Sequence, residues 1–318
     1  MGMWLAARST IRKKRGVRLK GLAAPAVAAC LGLFTAFLVQ GLPQTALLAP
    51  HAGHDASADW WGHWAEEKIV YGFHKGIVTG CPDGTFRPGA TCSRAELVVL
   101  LLRVLGEEEE ATAMKRLPSR FSDVPVSHWA HGYLELAYTW GLVAPDDERR
   151  ILPEFPVTRA EMATVVWKAV RRFGLEGVNG LGQLPPFVDS GQIPVEALEA
   201  VVCLHALGVV TGDDRGAFRP NALVTRAEVL VMCVRVLGAL GNLWDIEGEV
   251  VCVDHKNETL TVDTGVEQVS LRYREDSIAV YQNSRRLPVD AIAAGSRVGV
   301  LFKEGAFPTL SYVLVISG

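Results

Sequence analysis

The chain has 318 residues, of which 49% are hydrophobic and 21% charged, and its formal net charge is -3. These fractions are typical of globular proteins and exclude a wholly disordered, collagen-like or multi-span membrane chain. Seven of the 32 basic residues lie within residues 1–20, so the remainder has 25 basic against 35 acidic residues and no nucleic-acid partner is expected.

The first predicted element is an apolar segment that follows this basic run. It extends over residues 21–50 and is most apolar over residues 22–39. A positive flank, an apolar centre and small residues near Ala49 and Ala52 predict a secretory signal within residues 1–52. A retained membrane anchor at residues 22–42 is the alternative, since about 20 apolar residues span a bilayer. Cys30 could end a lipoprotein cleavage box, which is the weakest alternative. Each of these places the folded part outside the cytoplasmic membrane.

Three units of one kind follow the segment. Gly76, Gly141 and Gly208 each precede, by 18 residues, the arginine of a Ser/Thr-Arg-Ala-Glu sequence. His-Trp-Ala stands upstream at residues 63–65 and 128–130, and the third copy has Val-Glu-Ala at residues 195–197. The apolar spacing and the glycine stops predict helix, loop, helix in each copy. We therefore expect repeats at 57–106, 119–173 and 185–240.

The Ser/Thr-Arg-Ala-Glu sequence predicts a capping box at the start of each second helix. Its arginine needs a separate explanation, because a cation in the first turn opposes the helix dipole. One interpretation is an anion site, in which the guanidinium and free amides hold a carboxylate or phosphate. The other is an internal ion pair with a loop acid such as Asp123 or Asp189. Each Trp likewise allows two interpretations, a binding surface or a place in the core.

These motifs, in this order, resemble surface-layer homology repeats: aromatic-x-Asp at residues 121–123 and 187–189, His-Trp-Ala, Gly-Ile/Val-Val, Asp-Gly-Thr-Phe-Arg-Pro and Thr-Arg-Ala-Glu. The resemblance covers about residues 57–240. It implies a pseudo-threefold helical spindle whose grooves bind a secondary cell-wall polysaccharide, often with a pyruvate-ketal sugar. It also implies roles for seven residues. The ketal carboxylate would meet Arg94, Arg159 and Arg226, the sugar would rest on Trp64 and Trp129, and Asp123 and Asp189 would bond hydroxyls or brace the groove.

The copies depart from that pattern in places. The second has an acidic loop at residues 144–153, the third has Glu196 at the Trp position, and the first lacks a clear aromatic-x-Asp. Not every groove is therefore expected to bind. The acidic run at residues 107–110 is predicted to be a solvated helix end or a link, and the glycine-rich residues 174–186 are predicted to link two copies.

From Asp245 the apolar period changes to alternation, which predicts six short strands, at residues 249–253, 259–262, 269–273, 278–281, 297–301 and 312–316. We expect a small all-β barrel-like module at 245–318, because closure removes exposed edges. An oligonucleotide/oligosaccharide-binding-like barrel is conceivable by shape alone. The fold class is thus α+β and multidomain.

Six cysteines do not form a dense disulfide framework. Cys81 and Cys92 bracket one loop, and whether they pair is left open. Cys203 and Cys233 are predicted to be buried free thiols. Cys252 is predicted to lie in a strand with its side chain in the protein core. No pair has zinc-ligand spacing, so no structural metal or cofactor is expected.

The favoured function is a non-enzymatic, extracytoplasmic protein that anchors to cell-wall polysaccharide through its repeats and displays the β module, with other envelope proteins as possible partners of that module. The alternative is a membrane-anchored interaction protein whose repeats only brace a partner-binding β module. A wall-acting hydrolase is disfavoured, because the sequence lacks a nucleophile elbow, P-loop, HExxH or dinucleotide fingerprint.

Overall fold

A computed structural model describes residues 58–175, 185–303 and 309–317. The predicted signal or anchor, including residues 22–42, lies outside the described residues, as does most of the glycine-rich link. In the three described ranges, no helix is both long and apolar enough to cross a membrane.

Each repeat forms two helices joined by a loop, as predicted. The first repeat has α1 (Glu66–His74) and α2 (Arg94–Val104), and the second has α4 (His131–Thr139) and α5 (Arg159–Arg171). The third has α6 (Val195–Ala206) and α7 (Arg226–Ala239). The acidic run begins a further helix, α3 (Glu108–Met114), so the first link is partly helical. This helix packs closely on α4, where a Cβ added to Gly132 would lie 2.1 Å from the carbonyl oxygen of Ala111.

The six repeat helices pack in cyclic order. The second helix of each repeat lies against the first helix of the next, so that α2 packs on α4, α5 on α6 and α7 on α1. Isolated β-bridges join the repeats in the same order, between Ser93 and Pro156, Thr158 and Leu223, and Thr91 and Thr225. Each repeat therefore contacts both of the others, and the third closes on the first.

Seven strands make up the C-terminal part of the chain. They are β1 (Ile246–Asp254), β2 (Thr259–Asp263), β3 (Gln268–Arg272), β4 (Ala279–Gln282), β5 (Arg285–Leu287), β6 (Arg297–Lys303) and β7 (Thr309–Ser317). The sheet order is β3-β2-β1-β6-β7-β4-β5, and a parallel pairing of β3 with β7 closes five of the strands into a barrel. The barrel prediction is confirmed. Two strands, β4 and β5, lie outside the closed five. The sequence did not predict β5, which pairs with β4 across Asn283 and Ser284, two residues with positive φ.

The barrel packs against the first repeat. Tyr281 and Tyr312 from β4 and β7 are buried in the same core as the helices. The Tyr71 hydroxyl on α1 donates to the carbonyl of Leu243 at 2.5 Å, and the Tyr281 hydroxyl donates to Glu66 at 3.0 Å. Because Tyr71 and Tyr281 combine buried aromatic rings with satisfied hydroxyls, α1 is a shared element of both parts of the chain.

Cys81, Cys92, Cys233 and Cys252 are free thiols. Cys203 and Cys233 are buried, as predicted. The prediction for Cys252 is wrong, because its side chain is exposed. A register shift between Val250 and Cys252 in the pairing of β1 with β2 interrupts the alternation of faces, and such bulges turn a side chain toward the other face of a sheet.

Candidate functional site

All three predicted capping boxes are present. The hydroxyl of the first residue accepts from the backbone N–H of the glutamate, and the glutamate carboxylate accepts from the backbone N–H of the first residue, in Ser93/Glu96, Thr158/Glu161 and Thr225/Glu228. This pairing satisfies amides that a helix start otherwise leaves without a partner. The helix starts are therefore stable without any ligand.

The arginine of each box extends into the following repeat. Arg159 donates from Nε to the carbonyl of Phe218 at 2.7 Å, and Arg226 donates from Nε to the carbonyl of Phe86 at 2.8 Å. Arg94 donates from Nη1 to the carbonyl of Ile151 at 3.0 Å. In cyclic order, each guanidinium thus binds the loop of the next repeat.

The same arginines form ion pairs with the glutamate of the next capping box. The nitrogen–oxygen distance is 3.3 Å from Arg94 to Glu161 and 3.1 Å from Arg159 to Glu228, and Arg226 pairs with Glu96 to close the ring. The interpretation that the arginines pair with acids is correct, but the expected partners, Asp123 and Asp189, are wrong. The sequence contained the actual signal, since every box carries both an arginine and a glutamate.

Burial differs among the three guanidinium groups. The Arg94 side chain is 32% exposed, against 13% for Arg159 and 14% for Arg226. Burial also lowers the pKa of Arg159. Arg159 lies over the buried ring of Phe218 and Arg226 over that of Phe86, whereas Arg94 lies over the exposed ring of Phe155. Arg94 is therefore the most accessible of the three guanidinium groups.

The carboxylates of the two predicted aspartates accept hydrogen bonds from loop backbone N–H groups and do not face solvent in a groove. Asp123 accepts from the backbone N–H of Ile151 at 3.0 Å and of Leu152 at 2.7 Å. Asp189 accepts from Phe218 and Arg219, both at 2.7 Å. Leu152 and Arg219 have φ of 55° and 56°, a left-handed conformation that is strained for these residues. Each carboxylate bridges the two amides at that strained point.

Asp59 plays the same part in the first repeat, which sequence reasoning did not recognise. It accepts from the backbone N–H of Phe86 at 2.8 Å and of Arg87 at 2.6 Å, and Arg87 has φ of 57°. The aromatic-x-Asp motif does not mark Asp59, because the residue two positions before it is not aromatic. The similar distance in sequence from the aspartate to its loop, 27 residues for Asp59 and 28 for Asp123, is the signal that could have found it.

The two predicted tryptophans lie at the surface. Trp64 is 63% exposed and Trp129 is 52% exposed, so the interpretation that they belong to the core is wrong. Their preceding histidines explain the orientation. His63 Nδ1 accepts from the backbone N–H of Ala65, and His128 Nδ1 accepts from that of Ala130, each at 3.2 Å. The alanine after each Trp is buried, whereas the Trp faces solvent beside the histidine ring, with ring centroids 5.4 Å apart for His63 and Trp64 and 5.8 Å apart for His128 and Trp129.

The acidic loop of the second repeat is partly neutralised by its own arginine. Arg150 pairs with Asp146 and with Glu148, each at 2.9 Å. A hydrogen bond from the Arg150 backbone N–H lowers the pKa of Asp146. These contacts reduce the negative charge that the loop presents.

A cleft of about 440 Å³ opens where the three repeats meet at Arg94. Its wall includes Arg94 from the first repeat, Glu161 from the second and Glu196 from the third. Glu196 occupies the place that Trp64 and Trp129 hold in the other copies. The structure thus brings an arginine, a capping-box glutamate and the Trp position, each from a different repeat, into one cleft.

Comparison with known proteins identifies the repeats. A family model, the S-layer homology domain, matches residues 55–98, 120–163 and 186–230. Cell surface glycoprotein 1 of Acetivibrio thermocellus is 32% identical over 53% of this chain and 7% of its own length. The cellulosome-anchoring protein of that organism is 30% identical over 52% of this chain and 36% of its own length.

Exoglucanase XynX, also of Acetivibrio thermocellus, is 28% identical over 57% of this chain and 16% of its own length. The chain therefore spans between 7% and 36% of the length of these relatives. The repeats matched in sequence are the same three that pack in cyclic order in the fold. The chain is a cell-surface, extracytoplasmic protein that carries three S-layer homology domains.

Proposed function

We propose that the three repeats attach this chain non-covalently to a secondary cell-wall polysaccharide that carries an acidic, pyruvylated sugar. The attachment is non-enzymatic. The cyclic contacts among the repeats correspond, in this proposal, to the pseudo-threefold spindle expected from the resemblance. The cellulosome-anchoring protein that matches this chain supports a role in anchoring.

The single observation that carries the proposal is the exposure of Trp64 and Trp129. Two large aromatic side chains at the same position of two repeats are held in solvent by a histidine on one side and a buried alanine on the other. Exposed apolar surface of this kind marks sites of interaction. A flat indole suits the apolar face of a sugar ring.

Each tryptophan is assigned to a cleft by the cyclic order. Glu196, at the Trp position of the third repeat, lines the Arg94 cleft together with Glu161 of the second. By the same relation, we expect Trp64 to lie at a corresponding cleft between Arg159 and Glu228, and Trp129 at one between Arg226 and Glu96. We propose these two clefts as the sites for the acidic sugar.

In these clefts the guanidinium has two roles. It holds the next repeat in place through the carbonyl and glutamate contacts, and its remaining N–H groups are offered to the sugar carboxylate. A hydrogen bond to a charged group is worth about 1.5–3 kcal/mol net. One such bond per cleft gives weak binding, and two clefts on one polymer raise the overall affinity through effective concentration. Asp123 and Asp189 contribute by holding the loops, since both carboxylate oxygens already accept backbone bonds.

Co-sedimentation of the full chain with purified cell walls tests the proposal. The Trp64→Ala, Trp129→Ala double variant is expected to bind about tenfold more weakly, with unchanged circular dichroism and Tm. The matched control replaces two other exposed apolar residues, Val188 and Val266, by Ala, and should bind as the wild type does. Walls stripped of secondary polysaccharide, or of its pyruvyl groups, should retain little of the wild-type chain. Equal binding by the wild type and the double Trp variant would refute the assignment of these clefts.

The β barrel remains, in this proposal, the displayed part of the protein and a contact for other envelope proteins. If the wild-type chain does not sediment with walls at all, the alternative of a partner-binding barrel braced by the repeats is favoured.

A further inference from the structure

The Arg94 cleft has a different chemistry from the two clefts assigned to the acidic sugar. Its walls are mainly apolar and include Leu97 and Val98 from α2, Val165 from α5 and Ala197 from α6. With a volume of about 440 Å³, it is large enough for a small ligand or one unit of a polymer.

One substitution in the second repeat helps to open this cleft. Phe86 and Phe218 place their rings beneath Arg226 and Arg159, but the corresponding residue of the second repeat is Ile151. Ile151 supplies its carbonyl to Arg94 and lines the cavity without a ring to fill it.

The charges on the wall do not balance. Arg94 and Glu161 form an ion pair at 3.3 Å, and Arg94 also binds the carbonyl of Ile151. The second oxygen of Glu161 accepts from the backbone N–H of Thr158 at 2.9 Å. Glu196 has no hydrogen-bond or ion-pair partner among the residues that the structure describes, and its side chain is exposed at the cleft. The net charge of the side chains that line this cleft is therefore negative.

We propose that the Arg94 cleft binds a ligand that carries a protonated primary amine on an uncharged body, with the ammonium at the Glu196 carboxylate. The apolar walls then contact the body of the ligand. The same carboxylate repels an acidic sugar, so this cleft and the two Trp clefts select ligands of opposite charge. Specificity of this kind combines an attractive contact for one ligand with a repulsive one for the other.

Two sources supply this chemistry, a sugar with a free amino group and an amino acid with a lysine-like side chain. Isothermal titration of the full chain distinguishes them with three probes: a glucosamine tetramer, its fully N-acetylated counterpart, and Nα-acetyl-lysine amide. Titration at about pH 6 keeps the lysine derivative fully charged, since its amine pKa is roughly 10.4, and keeps most of the glucosamine amines charged, although the electron-withdrawing sugar oxygens lower their pKa below that of lysine. No wall polysaccharide is used, so the outcome is independent of the anchoring proposal.

At least one amine probe is expected to bind about tenfold more tightly than the neutral tetramer. Glu196→Gln should abolish this preference, and Glu196→Trp, which installs the residue of the other copies, should do the same. Glu109→Gln on the acidic α3 removes an equal charge away from the cleft and should leave the preference intact. Preference for glucosamine identifies the sugar source, and preference for the lysine derivative identifies the peptide source. Equal binding of charged and neutral probes, or a preference that survives in Glu196→Gln, would overturn the proposal.

Discussion

Arg159 at the start of α5 donates to Glu228 at the start of α7, across 69 positions of sequence and a distance of 3.1 Å. Both residues belong to capping boxes. Glu228 caps the helix in which it lies and also forms an ion pair with the arginine of the preceding repeat. The ring of three such pairs means that a residue expected to bind ligand also holds the repeats together. Loss of wall binding in an arginine variant is therefore ambiguous unless folding is measured beside it.

Replacing the capping-box arginine by alanine should lower the free energy of unfolding by an amount that differs from one repeat to another. Arg159→Ala leaves the Phe218 carbonyl and the Glu228 carboxylate without their partner in a mostly buried place. We expect a loss of roughly 3 kcal/mol in the free energy of unfolding, the usual range for breaking a buried ion pair. Arg94→Ala, at the more exposed cleft, should lose about 1 kcal/mol. Urea denaturation measures both, and equal losses would contradict the difference in burial.

The loop aspartates should matter for stability even without a ligand. Asp189→Ala removes the acceptor for the backbone N–H groups of Phe218 and Arg219, the latter in a left-handed conformation. A decrease of roughly 2 kcal/mol is expected, because two amides lose their partner in a partly buried turn. Asp214→Ala, an exposed acid in the same repeat, is the matched control and should change Tm little. A similar Tm for the two variants would argue against the bracing role.

Two glycines in helices should respond to alanine with opposite signs. Gly132→Ala on α4 would place a Cβ 2.1 Å from the Ala111 carbonyl oxygen, so α3 must move. Overpacking of this kind typically costs about 1–3 kcal/mol. Gly238→Ala on α7 meets no atom within 4 Å and should stabilise the chain by up to roughly 1 kcal/mol through helix propensity. Thermal unfolding of the pair tests the contact, and stabilisation by both changes would exclude close packing of α3 on α4.

The free energy of unfolding should decrease as the pH falls, because His74 on α1 resists protonation in the folded chain. Burial, with Lys303 and Arg286 nearby, lowers the pKa of His74 from 6.5 to about 4. Between these two values the unfolded chain binds a proton that the folded chain does not. The free energy of unfolding should therefore fall as the pH decreases from about 6.5 to about 4, by roughly 3 kcal/mol in all.

His74→Gln should flatten this part of the pH profile relative to the wild type. At about pH 8 the imidazole is neutral in both states, so the comparison there measures only the packing difference between the two side chains. Urea titrations across this pH range provide the measurement. An unchanged slope in His74→Gln would show that another group carries the dependence.

Thiol reactivity should separate the cysteines by burial. Burial raises the pKa of Cys233 to about 12 and also raises that of Cys92, so both thiols should resist alkylation in the folded chain. Cys252, exposed beside the bulge of β1, should react within minutes with iodoacetamide. Mass spectrometry of peptides from native and urea-unfolded protein checks this. Rapid native labelling of Cys233 would contradict its position in the core.

Much of the local structure followed from the sequence alone. The three copies, their helix pairs, the capping boxes and six of the seven strands are set by residues within a few positions of one another. A hydroxyl three residues before a glutamate caps a helix start wherever that helix lies, and alternation of apolar residues favours a strand in any sheet. The S-layer homology domains were therefore recognisable before any fold was known.

The tertiary structure decided what each candidate side chain does. The three arginines pair with glutamates 67, 69 and 130 positions away in sequence, and these pairs form only when the three repeats close into a ring. The exposure of Trp64, the bulge at Cys252 and the meeting of Arg94 with Glu196 in one cleft likewise depend on how elements pack. Local periodicity reports which face of a helix or strand is apolar, but the partner of a polar side chain depends on distances between elements remote in sequence, and only the assembled fold sets those distances.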